Sequence, residues 1–485
     1  MSGIAVRRAY PVLSRGDVEA IHATALEDLE RVGVRVGTAK GLRLLREAGA
    51  DVDEASGVAK IPPHIIQEAI ARASKHVVLR GRDPSQDADL DLRHVHICND
   101  GTGPLAIDFE TGKRRASTSE DLARSARVSN ALRNHHVFWP MVTSQDYAAE
   151  VRKFVDLKVS LVNTDKHVLF AEAVTVEEAR TLTAMAAAVL GDEAQLRRRP
   201  IISSVHTSIA PLQHDAGNMD SAFAFGEAGV PVAIFTMPTP GASGPVTLAG
   251  SVVVAAMEFL SGLAMCQLAN PGCPVIWGCG IAPLDMKTTT RGGGSPEHGL
   301  TGAAVTQLAH FYGVPSLCGG FDTTASVPGT QATMEAFASG LSLILGGADL
   351  IVGIGLLEDA RTLSLESLFI HDEMIEMIRR IADGIVVDEE HLAADVIEKV
   401  GIGQTFLGQR HTMKHLRSEH YIPTLVDRRS YDLWMKDGGR SMEDRARAMV
   451  KEAIAKAPPH PLPPETVRKL DAIIDAAKRG ASLPA

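Results

Sequence analysis

From residue 118 onward the chain alternates short apolar β-type runs with longer helical stretches, and this alternation limits the fold more than any other feature. The runs occupy 137–142, 168–171, 201–205, 232–237, 275–277, 314–318 and 350–354. Their starts lie about 30–45 residues apart, the length of a strand–helix–strand crossover. Several are apolar without a period of two, as expected of strands covered on both faces and hence of a parallel sheet. The stretches between them carry helix signals. Thr118 with Asp121 and Thr175 with Glu178 have capping-box spacing, and Met334, Phe337, Leu341 and Leu345 form one apolar stripe. Seven strand–helix units in a row predict a TIM-type (β/α)8 barrel over 118–400. The eighth strand is either 95–98 or 385–387. An open, doubly wound sheet is the competing fold, but no G-x-G-x-x-G follows the first strand to support its dinucleotide-binding form.

The flanks read differently. Residues 1–117 are expected to form a helical and small-β extension. Ser14 with Asp17 caps a helix carrying Val18, Ile21, Ala25, Leu29 and Val32, and Pro62-Pro63 opens another. Residues 401–485 read as a helical appendage with a linker at 460–464, packed on the barrel or used in contacts of a homo-oligomer. The apolar stretch 248–268 is interrupted by Glu258 and Gln267, and is expected to be a buried helix, not a membrane span. The first residues show no apolar segment of a secretory signal. Five cysteines without a C-x-x-C pair suit a reduced, cytoplasmic protein. With 49 basic against 59 acidic residues the net charge is −10, which leaves no surplus to neutralise nucleic-acid phosphates.

Barrel enzymes work at the C-terminal ends of their strands. Here those ends present Trp139, Glu172, His206, Trp277, Cys279, Phe321 and Asp322, and Asp100 follows the candidate strand at 95–98. Each has a structural alternative. Trp139 and Trp277 can fill the barrel mouth, His206 can be a satisfied core histidine, and Asp322 can cap a turn. Glu258 is expected to pair with a neighbouring helix, and the arginine run at 197–199 to lie in a solvated loop. His206, Cys279 and Cys318 at three strand ends make a zinc site conceivable, though no local metal motif supports one. The run RGGGSPEH at 291–298 leads into a helix and can offer amides to an anion, but it lacks the Lys-Ser/Thr end of a P-loop.

Several blocks carry a resemblance. MPTPGASGPVTLAGSVVVAAMEFLSGLAMCQLANPGCPVIWG (237–278), SPEHGLTGAAVTQLAHFYGVPS (295–316), GADLIVGIGLLEDARTLSLESLFIHDEMIEMIRRI (347–381) and FLGQRHTMKHLRSEHYIPTLVDRRSYDLW (406–434) together resemble the trimethylamine methyltransferase family over nearly the whole chain. With only standard residues, the chain is similar to the pyrrolysine-free branch that includes glycine betaine demethylases. The resemblance implies a (β/α)8 barrel with an extra helical region. It also implies methyl transfer from a methylated, quaternary amine to the Co(I) of a corrinoid carried by a separate protein, with no cofactor held tightly by this chain. Aromatic faces and a carboxylate suit such a cation. Strand-end position nominates Trp139, Trp277 and Phe321 as the faces and Asp322, Asp100 or Glu172 as the anion. His206 is placed to bond a betaine carboxylate.

Two departures stand out. Betaine-type members commonly show T-D-S-K where this chain has Thr323-Thr324-Ala325-Ser326, and L-I-H-D-V-G-Y where it has Leu350-Ile351-Val352-Gly353-Ile354-Gly355-Leu356. Both point away from glycine betaine, to another substrate or to a paralogue that binds quaternary amines without turnover. A zinc-dependent thiol methyltransferase is the remaining alternative.

Overall fold

The computed structural model describes residues 3–6, 10–170, 173–456 and 462–480. Eight parallel strands close into a barrel: β1 (His94–Asn99), β2 (Val137–Phe138), β3 (His167–Phe170), β4 (Ile202–Thr207), β5 (Val232–Thr236), β6 (Val275–Cys279), β7 (Ser316–Gly319) and β8 (Leu350–Ile354). Each is followed by a helix: α1 (Ser119–Asn130), α2 (Ala149–Asn163), α3 (Val176–Leu190), α4 (Ala216–Glu227), α5 (Leu248–Ala269), α6 (Pro296–Tyr312), α7 (Thr330–Gly346) and α8 (Leu365–Ala382). Pairing of β8 with β1 (Leu350 opposite His96, Ile351 opposite Ile97) closes the ring. The open choice of eighth strand is thereby settled for 95–98, while Ile385 and Val387 are largely exposed loop residues. The barrel opens at His94, inside the stretch expected to be an extension.

Strand alternation divides the core in two. Cys98, Val137, Leu169, Val205, Ala233, Phe235, Ile276, Leu317, Leu350 and Val352 point inward and fill the barrel. The residues between them point outward against the helices. The inner cluster continues into an antiparallel hairpin of Val77–Leu79 and Ala88–Leu90. His167, the first residue of β3, bonds the Arg80 carbonyl beside it, which places the hairpin at the N-terminal end of the barrel as a plug. Arg199 does not lie free in solvent: it bonds Asp87 and the Gly81 carbonyl of this plug. The plug leaves the opposite, C-terminal end as the one where the segments after the strands converge.

Helix α5 is apolar all round because it is covered all round. Its inner face packs on β5 and β6, and its outer face meets the helices Arg15–Arg31, Ala39–Glu47 and Pro63–Arg72 of the N-terminal region. Among the described residues it is the single helix long and apolar enough to cross a bilayer, and 78% of its most apolar window is buried. The C-terminal helices α9 (Met442–Lys456) and α10 (Pro464–Lys478) pack on the ring, α9 against α8 and α1, α10 against α3 and α2.

Candidate active site

The C-terminal end gathers residues from three strand ends, one hairpin and one turn. Asp100 follows β1, Trp139 follows β2 and Asp322 follows β7. Arg291 comes from the hairpin of Leu284–Asp285 and Thr290–Arg291 after β6, and Asp359 from the turn after β8. The chain reaches these positions through unusual backbone. Thr102, Phe321, Glu358, Asp359 and Ala360 all have φ between 55° and 68° without being glycine. Left-handed residues of this kind cost free energy and concentrate where a site demands them.

Asp322 is the centre of the cluster. Its Oδ2 lies 2.7 Å from His298 Nε2, and His298 Nδ1 donates to the Ile281 carbonyl at 2.8 Å. One proton therefore lies between imidazole and carboxylate. Arg291 donates to Asp359 Oδ1 at 2.5 Å and to the Gly280 carbonyl at 2.9 Å. Asp100 is held by its own turn, its Oδ1 accepting from the Gly101 amide at 2.8 Å. Burial pushes the Asp100 carboxyl well above the usual carboxylate range, and the charges of Asp322 and Asp359 push it further. Asp359 is raised by burial and by Asp322, against the pull of Arg291. The three carboxyl groups thus share one electrostatic environment.

The aromatic wall is Trp139. A Cβ on Gly101 would come 2.2 Å from its Cδ1, so the indole lies flat on this glycine. Its Nε1 is buried and bonds no protein group among the described residues. A donor left so in a polar mouth is one a ligand can satisfy.

Three nominated residues lie elsewhere. Trp277 has the wrong parity: Ile276 and Gly278 flank it on the inner face, so its ring points outward. It stacks on Phe259 at 4.5 Å and near Tyr312, fully buried. Phe321 turns under the helix layer, its ring covering Gly340 of α7 and stacking on His371 of α8. His206 also points outward, bonding Asn218 at 2.6 Å and His214 at 3.2 Å. It is a satisfied core histidine. Cys279 and Cys318 sit opposite each other in register on β6 and β7, but His206 is not with them, so no three-strand zinc site forms there. Glu258 pairs with a loop and not with a helix, accepting from Ser208 Oγ at 2.6 Å and the Leu212 amide at 2.9 Å. Glu172 lies outside the described residues.

Four site residues were not nominated by sequence: Arg291, His298, Asp359 and Glu335. Two of them bracket the glycine run at 291–298. That run was read as a source of amides for an anion, yet its charged ends do the work. A Cβ on Gly293 would meet Asp359 Oδ1 at 2.0 Å, and one on Gly294 would meet Glu335 Oε2 at 2.2 Å. The glycines let carboxylates press close. Glu335 in turn accepts from Thr323 Oγ1 at 2.7 Å and the Thr324 amide at 2.8 Å, fixing the turn after Asp322.

A mouth of carboxylates around one indole suits a small cation. The chain was also compared with known proteins. Residues 4–484 match the family described as trimethylamine methyltransferase. The trimethylamine methyltransferase MttB of Desulfitobacterium hafniense is 33% identical over 98% of this chain and 96% of its own length. That of Methanosarcina thermophila is 32% identical over 94% and 95%. The glycine betaine methyltransferase of a second Desulfitobacterium hafniense strain is 31% identical over 97% of each. The chain is therefore a methyltransferase and belongs to the trimethylamine methyltransferase family.

Proposed function

We propose that this protein takes a methyl group from a small, quaternary methylated amine and passes it to the Co(I) of a corrinoid carried by a separate protein. The observation that carries this reading is the convergence of Asp100, Asp322 and Asp359 with the face of Trp139 at the C-terminal end of the barrel. In the transfer a cobalt–carbon bond forms as the carbon–nitrogen bond breaks. The electron pair of the broken bond stays on nitrogen, so the amine leaves neutral and needs no proton. The chain's own residues bind and orient: an indole face and carboxylates hold the ammonium, and the strand ends aim one methyl outward.

The charge balance matters. Positive charge fades from nitrogen in the transition state, so a full set of ionised carboxylates would stabilise the ground state more and raise the barrier. Burial and the charge of Asp322 disfavour ionisation of Asp100 and limit that cost. Asp100→Asn replaces a carboxyl that resists ionisation by an isostere that never ionises, and is expected to keep kcat/KM within about threefold at pH 7. A steady-state comparison with the wild type checks it.

The direct test mixes purified protein with a Co(I) corrinoid protein and a panel of tetramethylammonium, choline, trimethylamine, glycine betaine and other betaines, and follows the cobalt spectrum. Methyl-Co(III) is expected with at least one quaternary amine. None with any member overturns the reading. Tight binding of a quaternary amine without transfer would instead mark a binder that has lost turnover.

A further inference from the structure

Strand β2 is only two residues long, and its sole ladder pairing with β1 is Val137 opposite Cys98. The backbone pairing is interrupted at the two residues that matter, Asp100 on one chain segment and Trp139 on the other, and resumes beyond them, where the Thr102 and Gly103 amides donate to the Pro140 and Met141 carbonyls. A side chain fills the gap. The amide of Asn99, fully buried, accepts from the Trp139 N–H at 3.0 Å and donates to the Trp139 carbonyl at 2.5 Å. The same Nδ2 donates to the Asp100 carbonyl at 2.6 Å. One carboxamide thus acts as an extra rung and ties both site residues together.

A carboxamide can do this only in one of its two orientations. The Trp139 backbone N–H and the two carbonyls set which, and a second buried layer backs them. Lys166 Nζ donates to the Ser129 carbonyl at 2.7 Å and lies 3.0 Å from His135 Nδ1. His135 Nε2 lies 2.8 Å from Asn99 Oδ1 and 3.3 Å from the Asn99 backbone N–H: it accepts from that N–H with the ring proton on Nδ1, and donates to Oδ1 with the proton on Nε2. In either tautomer a flipped amide would lose its three bonds to Trp139 and Asp100. Lys166, His135 and Asn99 are each no more than 3% exposed, and none can exchange these partners for water.

We propose that Asn99 is a positioning residue for this site, backed by buried His135 and Lys166, and that this relay sets the plane of the Trp139 indole on Gly101 and the direction of Asp100. The relay rests on the methylated-amine reading only for its effect on turnover. Its structural effect is present in the ligand-free protein, and there it is measured.

The experiment labels the full chain with 5-fluorotryptophan, which gives fluorine resonances from Trp139, Trp277 and Trp434, with Trp139 assigned by Trp139→Phe. Asn99→Asp keeps the acceptor oxygen and loses both donors. Lys166→Met keeps the volume and loses the polar contact with His135. Each is expected to shift or broaden the Trp139 resonance while the Trp277 and Trp434 resonances stay in place, and the double variant is expected to move Trp139 no further than Asn99→Asp alone. In methyl transfer from whichever panel amine is active, both single variants are expected to lower kcat/KM about tenfold or more. An unmoved Trp139 resonance in Asn99→Asp overturns the proposal. So does Lys166→Met moving all three resonances alike, the sign of general loosening. Lys166→Met keeps the test decisive if Asn99→Asp does not fold. Failure of every amine in the transfer assay, with Trp139 still shifting, would count against the functional reading and leave the relay standing.

Discussion

Asp322→Asn is expected to lower kcat/KM for the methylated amine by about a hundredfold at pH 7, with part of the loss recovered as pH rises. The carboxylate does two things that an amide cannot. It shares a proton with buried His298, and it supplies anionic charge beside the bound cation. Its loss leaves the imidazole with a weaker partner in a site that water barely reaches. It also removes the charge that helps to hold Asp100 neutral. The sign follows from that. With Asp322 ionised, Asp100 gives up its proton only well above the ordinary carboxylate range. Without it, Asp100 ionises at lower pH and becomes a substitute anion. Activity of Asp322→Asn should therefore climb with pH through a range where the wild type is still flat. The double variant Asp100→Asn/Asp322→Asn has no such reserve and should lose both the climb and a further factor of about ten. Profiles of kcat/KM against pH for the three proteins decide it. If single and double variants share one profile, the coupling between the two carboxyls is not what sets the charge of the mouth.

What could be read from the residues alone follows from how local each feature is. The barrel was legible because a strand covered on both faces is apolar throughout, and such runs recur between helices with their own caps. Thr118 and Asp121 form the reciprocal cap that their spacing implied. The identity of β1 was not legible, because 95–98 and 385–387 look alike until closure against β8 chooses between them. The placement of the nominated residues was legible only in part. Asp100, Asp322 and Trp139, nominated by proximity to strand ends, do gather at the C-terminal end of the barrel. Trp277 failed by a single residue of register, since a shift of one exchanges the inside of a barrel for its outside. His206 failed for the same reason. Asp359 had no signal, because its turn has no glycine and its place in the mouth depends on Arg291 nearly seventy positions earlier.

Gly353→Ala is expected to lower stability by about 4 kcal/mol or more, for reasons that also explain one departure from the betaine-type pattern. Gly353 has φ +138°, and a Cβ there would lie 1.6 Å from the carbonyl oxygen of Gly320. The obstacle is backbone, held by pairing of β7 with β8 where Gly319 faces Val352 and by the Gly320 amide bonding the Val352 carbonyl at 2.7 Å. No rotamer change relieves it. Gly347→Ala provides the contrast. Its φ of +77° is also left-handed, but nothing lies within 4 Å of the new methyl, so only the conformational cost of about 1–2 kcal/mol remains. Denaturant midpoints of the two variants separate packing from conformation, and equal losses would refute the clash. The same Cβ would stand 2.9 Å from Asp322 Oδ1. The carboxylate that the betaine-type pattern carries at the position of Gly353 thus has no room here, because the Gly320 carbonyl blocks any Cβ and Asp322 lies just beyond it. Gly353→Asp should accordingly be worse than Gly353→Ala in both stability and turnover, since it adds a second anion to an occupied space. If it instead improved transfer from glycine betaine, crowding by Gly320 and Asp322 would not be what keeps an acid from this position.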